Sequence, residues 1–236
     1  IGFIDDFIII KKRRSLGLKP WQKIVMQFGL ALYVANYQYT VSASAPQLMV
    51  PFTDIAINLG PLYVPIMIFV IVGTVNAVNL TDGLDGLAGG LSLIAFLAMG
   101  LISWNSTWIA GYSEIAIFCF ILVGALLGFL FFNTYPAKVF MGDTGSLALG
   151  ATLASIAILT SHEITFIIIM GVFIIETLVS IIQVFSIMYC GRKVFLMTPL
   201  HHHFEKLGWN ERDIVKTFWV VGLILAMMGV IFAVWV

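Results

Sequence analysis

Three acidic side chains lie where they could hold a metal ion beside a phosphate group. Asp5 and Asp6 follow a short apolar run, and Asp143 stands between glycines just before a stretch of small residues. Mg²⁺ prefers one or two carboxylates together with phosphate oxygens, so Asp143 with Asp5 or Asp6 would supply its ligands. A helix opening at Ser146 would point its positive dipole end at a diphosphate. The alternatives are a plain turn at Asp143 and a solvated helix end at Asp5 and Asp6.

Two more acids lie in the segment Asn79-Leu-Thr-Asp82-Gly-Leu-Asp85-Gly86, which joins two apolar runs. Each Asp-Gly pair by itself is typical of a turn. If the segment is helical, Asp82 and Asp85 share a face because they are three residues apart. The glycines would let a ligand approach the backbone, and Asp85 could accept hydrogen bonds from a base or a sugar.

Three consecutive histidines, His201, His202 and His203, stand between two apolar runs, so they are not an expression tag. Neighbouring imidazoles do not converge on one ion with ordinary backbone geometry, which argues against a zinc site. Imidazole has an ordinary pKa of about 6.5, so it can carry charge and donate hydrogen bonds to a diphosphate. We expect phosphate contact or acid–base assistance from this run.

Glu176 and Gln183 are seven residues apart within one apolar run, so they share a helix face. Pairing with neighbouring helices explains both residues. The alternative is that Gln183 lines a substrate cleft.

The elements that must position these residues are transmembrane helices. The chain is 61% hydrophobic and 10% charged, whereas a soluble domain has roughly 25% charged residues. Its mean hydropathy is +1.05. A spanning helix needs about 20 apolar residues, and seven stretches come close, with Ile1 to Ile4 as the end of an eighth: Trp21 to Tyr39, Pro61 to Asn79, Leu87 to Trp104, Ile115 to Asn133, Ser146 to Thr160, Ile164 to Tyr189 and Ile214 to Val236. We therefore predict an all-α, polytopic transmembrane helical bundle that forms one domain over residues 1–236. For the loop at 41–60 we expect a short strand or an interfacial piece.

The 12 basic residues all agree with one orientation of this bundle. The loops expected outside, at residues 40–60, 105–114 and 161–163, contain no Lys or Arg, and cytoplasmic loops are the ones that carry excess positive charge. The candidate acids and the histidines then all fall on the cytoplasmic side.

Five motifs, in order along essentially the whole chain, resemble those of the phospho-N-acetylmuramoyl-pentapeptide transferases, within the polyprenyl-phosphate N-acetylhexosamine-1-phosphate transferases. They are Gly-Phe-Ile-Asp5-Asp6, Asn79 to Ala88, Phe140-Met-Gly-Asp143-Thr-Gly-Ser-Leu, Ile175-Glu176-Thr through Gln183-Val, and Thr198-Pro-Leu-His201-His-His-Phe-Glu205. The family fold has ten transmembrane helices. The resemblance equates the seven spans and the short first segment with its helices three to ten, so its N-terminal helices are expected to be absent from this chain.

The resemblance implies an enzyme of the bacterial plasma membrane that depends on Mg²⁺. It would transfer phospho-N-acetylmuramoyl-pentapeptide from its uridine diphosphate carrier to undecaprenyl phosphate, giving lipid I and UMP. Asp143 would hold the metal, with Asp5 and Asp6 near the metal and the lipid phosphate. The other substrate-binding positions would be Lys12 or Arg13 as the basic contact near uracil, Asp85 and Phe140 at uracil, and Asn79, Asp82, Asn133, Gly142, Gln183 and His201 to His203 along the nucleotide and phosphates. A homodimer is expected from the family alone, and no nucleic-acid partner is expected.

Two mechanisms and three other functions stay open at this point. The lipid phosphate could attack directly, with Asp5 orienting it, or an Asp could form a phosphorylated intermediate. A sister transferase would use an N-acetylhexosamine without the peptide. A CDP-alcohol phosphotransferase would need further spaced acids, which are missing after Gly86. A secondary transporter would place charges at mid-bilayer, where only Glu176 qualifies.

Overall fold

The computed structural model describes residues 1–13, 17–41, 46–51, 53, 55–105 and 112–234. These residues form almost entirely helical structure. The helices are α1 (Gly2–Lys12), α2 (Pro20–Val41), α3 (Tyr63–Thr81), α4 (Leu87–Asn105), α5 (Tyr112–Asn133), α6 (Gly142–Leu159), α7 (Glu163–Ile169), α8 (Gly171–Cys190), α9 (Leu200–Lys206) and α10 (Glu211–Val234). A single 3₁₀ turn, Gly60–Leu62, leads into α3.

Six helices in the described part of the chain are long and apolar enough to cross a membrane, which confirms the predicted helical bundle. They are Gly60–Thr81, Leu87–Trp104, Tyr112–Asn133, Gly142–Leu159, Gly171–Cys190 and Glu211–Ala233. The remaining predicted span, Trp21 to Tyr39, forms the helix α2, but α2 is not one of these six helices. Its apolar run is interrupted by polar side chains, which include Lys23, Gln27 and Gln38.

Two predicted boundaries were wrong for identifiable reasons. The first apolar segment does not end at Asp5; α1 continues to Lys12 and ends with Arg13 in a left-handed conformation. The run Ile164 to Tyr189 is divided at Met170 into α7 and α8. For the segment after Thr81, the expected turns are found rather than the alternative helix, and Gly86 has φ +81°, a conformation that a helix does not allow.

Two hydrophobic cores hold the helices together. The larger one surrounds α4 and includes Phe96, Met99 and Phe173, all of which are almost fully buried. The smaller one joins α2, α3 and α6 around Met67 and Leu147. Because α3 and α6 run in opposite directions against each other, the C-terminal end of α3 meets the N-terminal end of α6, where α1 also packs.

At the other end of the bundle, a two-stranded antiparallel sheet pairs Gln47–Met49 with Ala56–Asn58, and Leu48 stands opposite Ile57. This confirms the short strand expected in the loop at residues 41–60. Residues 42–45, 52 and 54 of that loop lie outside the described residues.

Candidate active site

The site is built where α1 crosses the beginning of α6. Asp5 and Asp6 come from α1, Asp143 comes from the first turn of α6, and one carboxylate oxygen of each lies within 4.8 Å of the others. Asp5 is only 2% exposed. The structure thus brings together the three acids that the sequence singled out as metal ligands, although 138 residues separate Asp6 from Thr144, which it contacts.

Lys23, on α2, places its ammonium between two of these carboxylates. Its Nζ lies 3.0 Å from Asp5 Oδ2 and 2.5 Å from Asp143 Oδ2. The sequence reasoning counted Lys23 only as a cytoplasmic cation and missed it as a site residue. The available signal was its position inside a predicted span, because a charged residue within such a segment is usually paired and functional.

Asn79 holds the second oxygen of Asp143 in place. Its Nδ2 donates to Asp143 Oδ1 at 2.9 Å and contacts Ser146 Oγ at 2.9 Å, and Ser146 is fully buried. Asn79 belongs to the last turns of α3, so this contact fixes the meeting of α3 with α6 as well as the direction of the carboxylate.

Asp6 is held by the first turn of α6. The backbone N–H of Thr144 donates to Asp6 Oδ2 at 2.8 Å, and its hydroxyl donates to the same oxygen at 2.6 Å. Gly142 has φ +63°, and a Cβ there would lie 2.9 Å from Asp6 Oδ2. Glycine is therefore required at this position both by the backbone conformation and by the approach of the carboxylate.

Asp82 is a half-buried neighbour of this cluster. Burial, and then the negative charges of Asp143 and Asp6, raise the pKa of Asp82 to about 6. Its carboxyl group therefore changes charge close to physiological pH, which sets it apart from an ordinary surface aspartate.

The other acid of this segment, Asp85, faces a different loop. Its Oδ2 accepts the N–H of Ala137 at 2.8 Å, and its own N–H donates to Glu211 Oε1 at 2.7 Å. Asn133 joins the same two loops, since its Oδ1 accepts the N–H of Gly86 at 3.1 Å and its Nδ2 donates to a second carbonyl. Asp85 and Asn133 thus shape the loop that leads to Phe140.

Phe140 presents its ring to the surface just before α6 and is 75% exposed, so an aromatic face is available there. Lys12 and Arg13 are exposed at the end of α1.

The three histidines have different surroundings on the short helix α9. His201 is fully buried. The Nδ1 of His202 lies 2.5 Å from Glu205 Oε2, and the Nδ1 of His203 accepts the N–H of Leu196 at 3.2 Å. Only the second and third rings are therefore partly open to solvent.

The side-chain amide of Gln183 forms hydrogen bonds with the protein backbone. Its Oε1 accepts the N–H groups of Val194 and Phe195 at 3.0 Å, and its Nε2 donates to the carbonyl of Phe195 at 3.0 Å. The structure therefore places it beneath the loop that leads to α9.

The donor set fits a hard divalent cation. Three carboxylates converge, no sulfur or imidazole ligand belongs to the group, and the Lys23 ammonium already shows that a cation is favoured between two of them. Mg²⁺ takes oxygen ligands of this kind and keeps several waters.

Comparison with known proteins decides the family. The model of glycosyl transferase family 4 matches residues 1–161. A Geobacillus sp. (strain WCH70) protein named phospho-N-acetylmuramoyl-pentapeptide-transferase is 53% identical over 236 residues, which are 100% of this chain and 71% of that relative. The proteins of the same name from Clostridioides difficile (strain 630) and Bacillus subtilis (strain 168) are 52% and 49% identical over 98% and 100% of this chain and 71% of each relative.

This chain belongs to the phospho-N-acetylmuramoyl-pentapeptide-transferase family.

Within this transferase family, the two kinds of match cover different parts of the site. The glycosyl transferase family 4 model spans the acidic cluster from Asp5 to Asp143 and ends at Ser161. The whole-chain relatives add α8 and the histidine helix α9. The acidic cluster thus lies within the part of the chain that the family model matches, and the histidine segment lies within the part that the whole-chain relatives match in addition.

Proposed function

We propose that this chain transfers phospho-N-acetylmuramoyl-pentapeptide from its uridine diphosphate carrier to undecaprenyl phosphate, releasing UMP and giving lipid I, with Mg²⁺ as cofactor. The observation that carries the proposal is the convergence of Asp5, Asp6 and Asp143 within 4.8 Å at one end of a membrane bundle. The name shared by the curated relatives supports the choice of substrate.

Asp5, Asp6 and Asp143 would hold the metal ion. When bound, Mg²⁺ would neutralise charge on the diphosphate and on the oxygen that leaves with UMP.

The remaining work of the site is positioning and charge neutralisation by the protein. Thr144 and Asn79 fix the directions of Asp6 and Asp143. Lys23 can turn its ammonium from the carboxylates to a phosphate oxygen, since 25% of its side chain is exposed. A lipid phosphate is already largely ionised at neutral pH, so it needs no strong base. We therefore favour direct attack by the lipid phosphate, which predicts inversion at the transferred phosphorus; retention would indicate a covalent aspartyl intermediate.

The nucleotide would bind toward Phe140. The exposed ring of Phe140 offers a stacking surface to uracil, and Asp85 has one carboxylate oxygen besides the one that holds Ala137. The cations Lys12 and Arg13, at the end of α1, would face the negative charge of the donor. His202 and His203 would contact the diphosphate.

The reaction would take place at the cytoplasmic face of a bacterial plasma membrane. The acidic cluster lies at the end of the bundle next to the Lys- and Arg-rich segments, where the positive-inside rule places the cytoplasm. We also propose that the working form is a homodimer.

The test is UMP release by the protein in lipid nanodiscs that contain undecaprenyl phosphate. We expect release with UDP-N-acetylmuramoyl-pentapeptide and Mg²⁺, and none after chelation of the metal. Preference for UDP-N-acetylglucosamine would identify the sister transferase instead. Donor binding that needs no metal and gives no UMP would favour a transporter.

A further inference from the structure

Glu176 is a carboxylate in the N-terminal half of the membrane-spanning helix α8, and it is fully buried. Its Oε2 accepts the N–H of Leu200 at 2.6 Å and its Oε1 accepts the N–H of His201 at 3.2 Å. The same Oε1 lies 3.2 Å from Nδ1 of the His201 ring. All three contacts go to the start of α9, so Glu176 ties the histidine helix to α8.

A carboxylate in this position is costly, because a charge within hydrocarbon must be compensated by hydrogen bonds or by an opposite charge. The first N–H groups of a helix also need acceptors from outside the helix. The carboxylate of Glu176 accepts the first N–H groups of α9, and these N–H groups compensate its charge. A residue without a carboxylate would leave the buried N–H groups of Leu200 and His201 unpaired.

Gln183 provides a second attachment two turns further along the same face of α8. It binds the backbone of Val194 and Phe195 through three hydrogen bonds. The segment between α8 and α9 is therefore held in its middle by Gln183 and at its junction with α9 by Glu176, two buried polar side chains of one helix. We call Glu176 and Gln183 the α8 clamp.

The clamped helix reaches the acidic side of the site through His201. A Cβ at Gly83 would lie 2.4 Å from His201 Nε2, so the imidazole lies directly against the backbone between Asp82 and Asp85. The ring is fully buried in this contact. The ring of His201 thus fills the space between α9 and the segment that carries Asp82 and Asp85.

We propose that Glu176 is a positioning residue of the transfer reaction: acting through His201, it docks α9 on Gly83 and so sets where His202 and His203 stand relative to the metal-binding acids. This role rests on the proposed function. It differs from substrate contact, because Glu176 is buried and its carboxylate is occupied by α9.

Amide hydrogen exchange in nanodiscs, without substrate, tests the clamp itself. In Glu176→Met, which keeps the volume but removes the acceptors, the N–H groups of Leu200 and His201 should exchange roughly tenfold faster. Those of Val194 and Phe195 should keep their rates, because Gln183 still holds them. Gln183→Met should give the opposite pattern.

Kinetics test whether the clamp serves the reaction. Glu176→Met should lower kcat by roughly 10²-fold, since a misplacement of about 1 Å has effects of that size, and should leave the KM for the donor within about threefold of wild type. Glu176→Gln retains one acceptor and should recover part of the loss. The matched control is the neighbouring Thr177→Val, whose hydroxyl bonds only to its own helix and which should behave as wild type.

A pair of substitutions tests the contact at Gly83. Gly83→Ala should lower kcat because the new methyl group meets His201. In a His201→Ala background the same substitution should cause no further loss, because the clash is gone; additive effects would contradict the docking.

The outcomes separate this role from the proposed function. If the wild-type protein releases no UMP, the transfer assignment fails, whatever the exchange pattern. If the wild type turns over but Glu176→Met keeps wild-type exchange at Leu200 or wild-type kcat, the positioning role alone is overturned.

Discussion

The two ends of α6 treat a carboxylate in opposite ways. At its N-terminal end, Asp143 is bound by Lys23 and Asn79. Beyond its C-terminal end, Glu163 is 4% exposed, and neither of its carboxylate oxygens has a hydrogen-bond partner in another described residue. The helix between them has 18 residues, which is about 27 Å of rise.

The difference separates a charged end of the bundle from a neutral one. Burial raises the pKa of Glu163 to about 8, so this acid is mostly protonated at pH 7. Burial also lowers the pKa of its neighbour His162, which favours the uncharged ring. Cationic and N–H partners stabilise the charged form of a carboxylate, which can bind a metal ion. A buried carboxyl group without such partners favours its protonated, uncharged form. The following changes test this contrast.

The largest effect is expected from Asp143→Asn, which removes one charge from the acidic cluster. UMP release should fall by at least about 10³-fold, because the proposed metal site loses a carboxylate ligand and would hold Mg²⁺ less tightly beside the diphosphate. The control is Asp213→Asn, an exposed acid whose nearest cation is Lys216 at 3.9 Å. Turnover by Asp143→Asn close to that of the control would reject the metal-ligand assignment.

Lys23→Met should separate binding from turnover. The ammonium competes for Asp5 and Asp143, so its removal should raise Mn²⁺ affinity roughly tenfold, measured by electron paramagnetic resonance. The kcat should fall by about 10²-fold because a phosphate-binding cation is lost. Lys19→Gln, one turn earlier and exposed, is the control. Weaker metal binding in Lys23→Met would mean that Lys23 supports the metal.

The charge of Asp82 should appear in the pH dependence of metal binding. Its pKa of about 6 means that the carboxyl ionises as the pH rises through that value. The added negative charge beside Asp143 and Asp6 should raise Mn²⁺ affinity by up to roughly tenfold between pH 5 and pH 7. Asp82→Asn should remove this step. An unchanged step would assign it to another group.

Glu163→Gln should change stability and leave turnover at the wild-type level. The pKa is raised from 4.5 in the unfolded chain to about 8 in the folded protein. The unfolded state therefore loses its proton first, and the free energy of unfolding falls as pH rises between these values. Thermal unfolding in detergent should show that decline in the wild type and a flatter curve in the variant. A decline of equal slope in both would place the effect elsewhere.

The sequence predicted the helices and singled out the acids that cluster. It did not predict which side chains bind one another. Apolar runs of spanning length predict helices because lipid allows few other structures, and Asp5, Asp6 and Asp143 stand out by their rarity in such a chain. Lys23 did not stand out, because its role depends on α2 crossing next to α1 and α6. Only tertiary packing brings the ammonium of Lys23 to the carboxylates of Asp5 and Asp143.

Motif resemblance also could not show whether a residue contacts the substrate or only holds the protein backbone in place. Asn133 ties two loops together and Gln183 holds a backbone segment in this structure. Both residues are polar and near the site, and a sequence pattern is the same whether an amide binds a ligand or a loop. The distinction required the hydrogen-bond partners. The substrate contacts of the predicted set stay predictions.

The crossing of α1 with α6 has a consequence for how the protein is made. The first two acids are synthesised and inserted long before the third, since Asp143 follows Asp6 by 137 positions. Until α6 has emerged and packed against α1, Asp6 lacks the two donors of Thr144, and Asp5 and Asp6 lack the third carboxylate of the cluster. The acidic cluster is therefore complete only after α6 has packed against α1, and its formation reports that this part of the bundle has assembled.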